Sequence, residues 1–566
     1  MARTNFGIKN VQRLMFIRSL SNNPRNLWNK DNVVSSPSKD VHLPLLTVND
    51  FIWQNLEKWA DKPAMVCGIT NRTYTYHQLY KYSRRFAAKL LTQFNIREDD
   101  VTCIMMSNNP EYAVATLGSL EAGATVTTIN PIYTVHEVQR QLILSSPKII
   151  IGIPETIEIL KEACKLAKLN IPIITVTSTG EILPNGTISY HELISDDHVD
   201  TSVLQRVNKD IDRIALLPHS SGTTGLPKAV ELVHRTIVAN FAQQNGKGFK
   251  YCKSATESSQ ESLLAVLPFY HIYGSGVIML HKLSMGAKVV TLPKFEKNTF
   301  LNAIKMQRSS ILHLAPPLAS FLATHSECKK EDLSTVHTYI CGAAPLPKQD
   351  IFRLLDKSKS DVDFLQIYGL TEVSPLATTA PLGFKNYATV GLALPNTKLR
   401  IVNTKDESLG PNEVGELLIK GPQVMKGYKD NPEATKAAIT DDGWFRSGDL
   451  ASIDQNGVVT ICDRIKELIK VKGFQVAPAE LESVLKEHSD VLDVAVVGVP
   501  DSKTGEIPKA FVVVKEGRSI NSNDLKQFVE ERVAAYKRIG DVMFVDSLPR
   551  NPSGKILRRV LKEKYA

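Results

Sequence analysis

Between about residues 45 and 464, short runs of apolar, often β-branched residues alternate with longer stretches whose apolar residues recur every three or four positions. The runs 101–106 and 288–292 are typical of buried strands, whereas 76–94 and 110–122 have the spacing of amphipathic helices. Strands that alternate with helices in this way indicate an α/β fold of layered, mostly parallel sheets.

The pattern changes after Arg464, where the chain favours a compact α+β unit. The predicted elements are a helix at 478–487, strands at 491–499 and 510–515, a helix at 522–537 and a final short basic helix. We therefore predict a large N-terminal domain at 45–464 and a small, mobile C-terminal domain at 465–566. The charged joint between them, near 464–467, suits a hinge.

The positive charge of the chain is concentrated at its N-terminus. The formal net charge is +9, and residues 1–30 hold six basic residues and no acidic ones. Without these six the rest of the chain carries only +3, so no nucleic-acid-binding surface is expected. Residues 8–20 can form a basic amphipathic helix, which predicts a mitochondrial presequence and a matrix location. A basic tail on a cytoplasmic protein is the alternative, and the C-terminus lacks a peroxisomal S-K-L signal.

Two further classes are excluded by composition. The longest apolar runs fall short of the roughly 20 residues that cross a bilayer, so no transmembrane segment is expected. The seven cysteines contain no C-x-x-C pair, which argues against a zinc site or a disulfide framework. The oligomeric state is left open by the sequence.

The densest chemical signal follows the apolar run 214–217. The candidate phosphate-binding residues are Ser220, Ser221, Gly222, Thr223, Thr224, Gly225 and Lys228. Glycines let backbone N–H groups approach phosphate oxygens, hydroxyls donate further hydrogen bonds, and a lysine supplies positive charge. The spacing is not that of a Walker A motif, and a Ser/Gly-rich turn is the alternative interpretation.

This loop resembles the signature of the acyl-adenylate-forming superfamily, which includes acyl-CoA synthetases, 4-coumarate:CoA ligases, beetle luciferases and peptide-synthetase adenylation domains. The similarity is collinear from about residue 45 to the C-terminus and rests on seven segments in the same order. It implies an ATP-dependent carboxylate:CoA ligase that uses Mg²⁺, forms an acyl-adenylate and then transfers the acyl group to coenzyme A. One departure is Ala229, where the family usually has glycine.

The resemblance also assigns nucleotide-binding positions. It places Gly342, Ala343 and Ala344 along adenine, Tyr368 stacked on adenine beside Gly369, Thr371 at the α-phosphate, Asp449 on the ribose, and Arg464 and Gln475 as further nucleotide contacts. Glu372 is the expected Mg²⁺ ligand, because Mg²⁺ prefers oxygen donors.

The catalytic assignments come from the same resemblance. Lys555 matches the adenylation lysine and Lys470 a second catalytic lysine, while Lys466 falls at the hinge. His271 is expected to border the acyl pocket and orient the carboxylate, beside Thr371 and Glu372. The segment with Lys472 and Gly473 is expected to face coenzyme A after the small domain rotates.

The acyl pocket is less well defined by the sequence. The candidate walls are His271, Tyr273, Ala315, Gly369 and Ser374. Small residues leave room for a medium- or long-chain fatty acid, which the expected mitochondrial address favours. The alternatives are a 4-coumarate-like aromatic acid, a luciferase-like monooxygenase, and a nucleotide-binding protein without activity.

Overall fold

The computed structural model describes residues 27–565, apart from 179, 221–226, 345, 360, 472–473, 502–503 and 552–553. Most of the predicted presequence, and five of the seven phosphate-loop candidates, Ser221 to Gly225, lie outside the described residues. The coenzyme A candidates Lys472 and Gly473 do so too, as does the side chain of Gln475.

The first sheet has nine strands, and the strands at its centre are parallel. The connections between these central strands run back to the end of the sheet at which each strand starts. Its strands, in spatial order, are His219–Ser220, Lys228–Val233, Ile214–Leu217, Thr125–Thr128, Val101–Met105, Ile149–Gly152, Ile173–Thr175 and Ile188–Ser189, with Gly427–Tyr428 paired to Lys228–Val233. In this order, all neighbouring strands from Ile214–Leu217 through Ile188–Ser189 pair in parallel.

A second nine-stranded sheet has the same parallel character. Its strands, in spatial order, are Leu392–Ala393, Leu376–Thr379, Asp363–Gly369, Thr338–Cys341, Ile311–Leu314, Ser262–Ala265, Lys288–Thr291, Pro63–Cys67 and Thr73–Thr75. Only its outer strands pair antiparallel. The near-continuous apolar strands at its centre are buried, as expected for a sheet covered on both faces.

Two five-stranded sheets complete the architecture of the described residues. The antiparallel one contains Val33–Ser35, Lys398–Val402, Gly415–Lys420, Phe445–Ile453 and Val459–Arg464. The sheet of the small C-terminal domain contains Phe474–Val476, Ile469–Val471, Gly505–Val514 and Val491–Asp501, with Asp541–Phe544 paired parallel to Gly505–Val514. This last sheet has an apolar core of its own, built around Leu481, Val494 and Leu525.

The helices pack on the faces of these sheets. The α-helices are Val48–Trp53, Tyr76–Thr92, Glu111–Glu121, Val135–Ser145, Ile157–Leu166, Tyr190–Ser195, His234–Gln244, His281–Ser284, Lys297–Met306, Pro316–Thr324, Lys348–Lys357, Pro432–Ala438, Pro478–Lys486, Ser522–Glu530 and Arg558–Tyr565. Tyr76–Thr92 shows how the sequence fixes a helix start, since Thr75 and Gln78 form a reciprocal capping box at its first turn. Within the described part of the chain, no helix is both long and apolar enough to span a membrane.

The predicted fold class is confirmed, with one element shorter than expected. The layered α/β architecture, the small C-terminal domain and the final basic helix are all present. The helix predicted at 522–537 ends at Glu530, and a 3₁₀ turn at Ala535–Lys537 follows. The chain leaves the helix at Glu530, and Val533 and Tyr536 then pack against the core of the small domain.

The strand Leu392–Ala393 lies so close to Leu376–Thr379 that the residue before it must be glycine. Gly391 has φ +78°, and a Cβ there would lie 2.2 Å from the carbonyl oxygen of Thr379 and 2.3 Å from the nitrogen of Ala380. Both atoms belong to the backbone, so neither can move aside cheaply.

We predict that Gly391→Ala lowers the free energy of unfolding by about 2–4 kcal/mol, because a left-handed alanine costs about 1–2 kcal/mol and the backbone clash adds to it. Thermal unfolding of the variant measures this. The matched control is Gly186→Ala, since Gly186 has φ +73° and a Cβ added there would meet no atom within 4 Å. Equal loss of stability in the two variants would contradict the close approach at Gly391.

Candidate functional site

A cleft of about 640 Å³ lies where the chain leaves the carboxyl ends of parallel strands in both nine-stranded sheets. Ligands of α/β proteins characteristically bind at this edge. The predicted site residues that line the cleft are Ser220, Lys228, His271, Tyr273, Ala343, Gly369, Thr371, Glu372, Arg464, Lys466 and Lys555. They come from segments far apart in the sequence, and the fold brings them into one cavity.

The phosphate side of the cleft begins at Lys228, the first residue of its strand. Lys228 pairs antiparallel with Ser220, and the remaining phosphate candidates, which lie outside the described residues, fall between these two positions in the sequence. The neighbouring Ala229 is buried, and its carbonyl accepts a hydrogen bond from the N–H of Lys429 at 2.9 Å. The methyl group that replaces the usual glycine hydrogen therefore sits inside a regular strand.

Glu372 is a buried carboxylate at the wall of this cleft. It lies in the 3₁₀ turn Thr371–Val373, directly after the strand Asp363–Gly369, and is 7% exposed. Its Oε1 accepts a hydrogen bond from the hydroxyl of Tyr428 at 3.0 Å. Among the described residues no cluster of three or more metal-binding side chains occurs. A cation here would be held by the Glu372 carboxylate together with phosphate oxygens. Such a donor set fits Mg²⁺, which binds through one or two carboxylates and substrate phosphates.

His271 also lines the cleft, half-buried just before a π-helix, Tyr273–Leu280. π-helical turns are rare and occur mostly at functional sites. Removal from water lowers the pKa of His271 to about 4, so the imidazole is neutral at pH 7. Its Nδ1 accepts a hydrogen bond from the N–H of Tyr273 at 3.2 Å, which assigns the proton to Nε2.

Asp449 is fixed by two partners before any ligand arrives. The hydroxyl of Tyr368 donates to its Oδ2 at 2.7 Å, and Nε of Arg464 lies 3.0 Å from its Oδ1. Burial raises the pKa of Asp449, while the charge of Arg464 and the Tyr368 hydrogen bond oppose that rise. Neither Tyr368 nor Asp449 lines the cleft, and the pair adjoins it through Arg464, which does.

Lys555 reaches the cleft from the small domain. Its turn is held by Arg550, which donates to the carbonyl of Gly554 at 2.6 Å and pairs with Asp493 at 2.7 Å. Burial, with the positive charge of Arg464 nearby, lowers the pKa of Lys555 to about 8. The side chain is therefore a cation at neutral pH, placed among the nucleotide candidates.

The predicted acyl-pocket residues separate into two groups. Tyr273 and Gly369 line the cleft, and a Cβ at Gly369 would lie 1.9 Å from the carbonyl oxygen of Pro375, so no side chain fits there. Ser374 instead donates to the hydroxyl of Thr236 at 3.1 Å. Ala315 packs beside the lysine turn, where a Cβ on Gly554 would come within 3.1 Å of it.

The small residues predicted along adenine differ in their surroundings. A Cβ at Gly342 would lie 2.6 Å from Cγ1 of Ile367, so packing between adjacent strands already requires glycine there. Ala343 adopts φ +76° and lines the cleft, whereas Ala344 does not.

Lys470 lies outside the cleft in this arrangement of the domains. Its side chain is exposed, and its N–H donates to Glu506 at 2.7 Å. Gln475 pairs with Lys470 across the same hairpin. Lys466 is exposed at the cleft edge, in the 3₁₀ turn Ile465–Glu467 that connects the two domains.

Sequence reasoning missed Tyr428 and His219, which both line the cleft. His219 precedes the phosphate loop directly, and burial lowers its pKa to about 4. Its position beside Ser220 was the available signal. Tyr428 carries no such signal, because its contacts are made with residues far away in the sequence.

Comparison with known proteins agrees with this geometry. Residues 52–429 match the profile of the AMP-binding enzyme family, and residues 480–555 match the AMP-binding enzyme C-terminal domain. The chain is 36% identical to 4-coumarate–CoA ligase 1 of Arabidopsis thaliana, over 95% of this chain and 96% of that protein. It is 39% identical to 4-coumarate–CoA ligase 3 of the same plant, over 93% of each.

Solved structures show the same fold. ATP-bound MatB from Rhodopseudomonas palustris has a TM-score of 0.80 at 26% identity, over 92% of this chain and 99% of that one. The anthranilate CoA ligase AuaEII, in complex with anthranoyl-AMP, has a TM-score of 0.82 over 92% of this chain and 98% of that one. At 22% identity the latter likeness concerns the fold alone.

The resemblance drawn from the sequence motifs is therefore confirmed across both domains. With two thirds of its length matched by one profile and a shared cleft for the motif residues, the chain belongs to the AMP-binding enzyme family.

Proposed function

We propose that the protein is an ATP-dependent ligase that joins an aromatic carboxylic acid to coenzyme A through an acyl-adenylate. The observation that carries this proposal is the position of Lys555, which lines the same cleft as His271, Lys228 and Glu372. A cation from the small domain thereby shares one cleft with a neutral histidine and the phosphate-side residues of the large domain. The relatives named 4-coumarate–CoA ligases, which match along nearly the whole chain, support the same reaction.

The relatives favour the aromatic alternative over the fatty-acid substrate expected from the sequence. Their names specify an aromatic acid, and they are 36–39% identical over 93–95% of this chain. The cleft wall is compatible with a flat ring, because Gly369 presents backbone only and Tyr273 offers an aromatic face.

In the first step, a carboxylate oxygen attacks the α-phosphorus of ATP, a new P–O bond forms, and pyrophosphate leaves. Both reactants are anions, so the barrier depends on positive charge placed where negative charge accumulates. Lys555 supplies such a charge from the small domain and Lys228 from the phosphate loop. Mg²⁺ held by Glu372 and phosphate oxygens would neutralise charge on the leaving pyrophosphate.

His271 orients the attacking acid in this scheme. Its proton resides on Nε2, where it can donate a hydrogen bond to one carboxylate oxygen and leave the other to attack. The low pKa keeps the imidazole neutral. The histidine therefore forms no ion pair with the substrate carboxylate, and the attacking oxygen remains nucleophilic.

In the second step, the sulfur of coenzyme A attacks the acyl carbon. The carbon–sulfur bond forms, the carbon–oxygen bond to AMP breaks, AMP leaves, and the thiol proton passes to solvent. Lys555 occupies the cleft beforehand, so we propose that the small domain rotates about Lys466 between the steps. That rotation would break the hydrogen bond from the N–H of Ala479 to Asp463 at 2.9 Å, which joins the first helix of the small domain to the strand Val459–Arg464. It would also separate Gly554 from Ala315.

We predict that Lys555→Ala lowers the rate of pyrophosphate release in a single turnover at least about 100-fold, because a charge aimed at the transition state is lost. Conversion of chemically supplied acyl-adenylate and coenzyme A to thioester should stay within about threefold of wild type, by the same division of roles. Lys562→Ala, which removes an exposed lysine of the small domain that does not line the cleft, is the matched control for the first half-reaction. Equal impairment of both half-reactions by Lys555→Ala would contradict the proposed roles.

The pKa of Lys555 generates a prediction about pH. The cationic form is present below about pH 8 and is lost above it, so kcat/KM for adenylation should fall as pH rises through 8. Lys555→Arg should move that fall to higher pH whatever its absolute rate, since arginine stays charged. An adenylation profile that is flat from about pH 7 to 10 in the wild type would contradict this assignment.

We predict that 4-coumarate and related cinnamic acids give kcat/KM values at least about tenfold above those of medium- and long-chain fatty acids, as roughly 1.4 kcal/mol of differential contact would provide. AMP release with ATP and coenzyme A measures this across one panel. Preference for a fatty acid would overturn the aromatic assignment and leave the ligase reaction standing. Failure with every acid would overturn both.

A further inference from the structure

Tyr428 contacts both Lys228, the first residue of its strand, and Glu372 in its 3₁₀ turn. It ends the short strand Gly427–Tyr428, whose partner is the strand that begins at Lys228. The hydrogen bonds of the flanking backbone reach both sides: Met425 N–H donates to the carbonyl of Glu372 at 2.8 Å, and Lys426 N–H donates to that of Glu231 at 3.0 Å. Residues 425–429 therefore connect the strand that begins at Lys228 with the turn that carries Glu372.

The side chain of Tyr428 contacts a group of opposite charge on each side. Its hydroxyl donates to Oε1 of Glu372 at 3.0 Å, and Nζ of Lys228 lies 4.8 Å from the centre of its ring. The tyrosine is 9% exposed, and burial next to Glu372 raises its pKa, so the hydroxyl keeps its proton and remains a donor. A hydrogen bond to a carboxylate and a cation–π contact are both stronger when partly desolvated.

The two contacts of Tyr428 disfavour an ion pair between Lys228 and Glu372. A lysine and a glutamate facing one cleft can pair with each other, and each would then be less available to a ligand. Among the described residues no ion pair joins Lys228 to Glu372, and the Tyr428 ring and hydroxyl engage one each. Because one carboxylate oxygen is occupied by the hydroxyl, the orientation of the other is fixed as well.

We propose that Tyr428 is a positioning residue that holds Glu372 and Lys228 apart, each directed at the polyphosphate of the nucleotide. Its hydroxyl acts through Glu372 on the cation carried by ATP, and its ring acts through Lys228 on the phosphates. This role rests on the proposed function only in requiring that ATP binds in the cleft, and it assigns a task to a residue outside the signature motifs.

Two substitutions distinguish the role of the Tyr428 hydroxyl from that of its ring. Tyr428→Phe removes the hydroxyl and keeps the ring, whereas Tyr428→Leu removes both. Tyr74→Phe is the matched control, because the Tyr74 hydroxyl also donates to a buried carboxylate, Glu111, at 2.7 Å, outside the cleft. Melting temperatures of the three variants show what is lost in stability alone.

Calorimetric titration with ATP, with and without Mg²⁺, is the decisive readout. In Tyr428→Phe the gain in affinity that Mg²⁺ confers should shrink about tenfold, as for other residues that orient a metal ligand, while affinity without Mg²⁺ is unchanged. Tyr428→Leu should also weaken binding without Mg²⁺. Tyr74→Phe should change neither affinity.

A Glu372→Gln background completes the test. If the hydroxyl acts through Glu372, adding Tyr428→Phe there should cause less than about a twofold further change in the Mg²⁺-dependent gain, since coupled residues are not additive. Additive losses, or equal weakening by Tyr428→Phe with and without Mg²⁺, would overturn the proposal. Wild-type protein that binds ATP and Mg²⁺ but makes no thioester would instead refute the ligase function. The comparison of ATP affinities with and without Mg²⁺ would still test the role of Tyr428.

Discussion

A carboxylate and a polyphosphate repel each other, and the cleft has to overcome that repulsion before any bond can form. Among the described residues, five basic side chains line it, Lys228, Arg446, Arg464, Lys466 and Lys555, together with the acidic side chains of Glu372 and Glu416. Arg446 is already paired with Glu416 at 2.8 Å and Arg464 with Asp449 at 3.0 Å, which leaves three lysines and Glu372. The remaining excess of positive charge, in a site partly withdrawn from water, is the feature on which the proposed chemistry depends.

The source of these charges explains why the chain has two domains. Lys228 belongs to the large domain, whereas Lys555 is carried by a turn of the small one that rests on Ala315. In the proposed mechanism the charge of Lys555 is needed for adenylation and obstructs the thioester-forming step. Its position on the small domain would allow it to be withdrawn between the two steps. The hydrogen bond from the N–H of Ala479 to Asp463 links the small domain to the large one beside the connecting residues, and it is one of the contacts that a rotation about Lys466 would break. A two-position domain is therefore mechanically reasonable for this site.

The sequence was sufficient for features that depend on neighbours along the chain. The strands Val101–Met105 and Lys288–Thr291 and the helix Glu111–Glu121 follow from local apolar patterns, and the collinear motifs led to the correct family. Contacts across the fold could not be obtained in this way: Tyr428 and Glu372 are 56 residues apart, and Tyr368 and Asp449 are 81 apart. The mitochondrial address stays a prediction, because residues 1–26 lie outside the described chain.

The central claim is that the cleft makes an acyl-adenylate before coenzyme A takes part. Exchange of labelled pyrophosphate into ATP, measured without coenzyme A, tests it most directly, because only a reversible adenylation can carry the label back. The account predicts exchange that requires both Mg²⁺ and an aromatic acid such as 4-coumarate. Absence of exchange with any carboxylic acid, in protein that is folded and binds ATP, would contradict it.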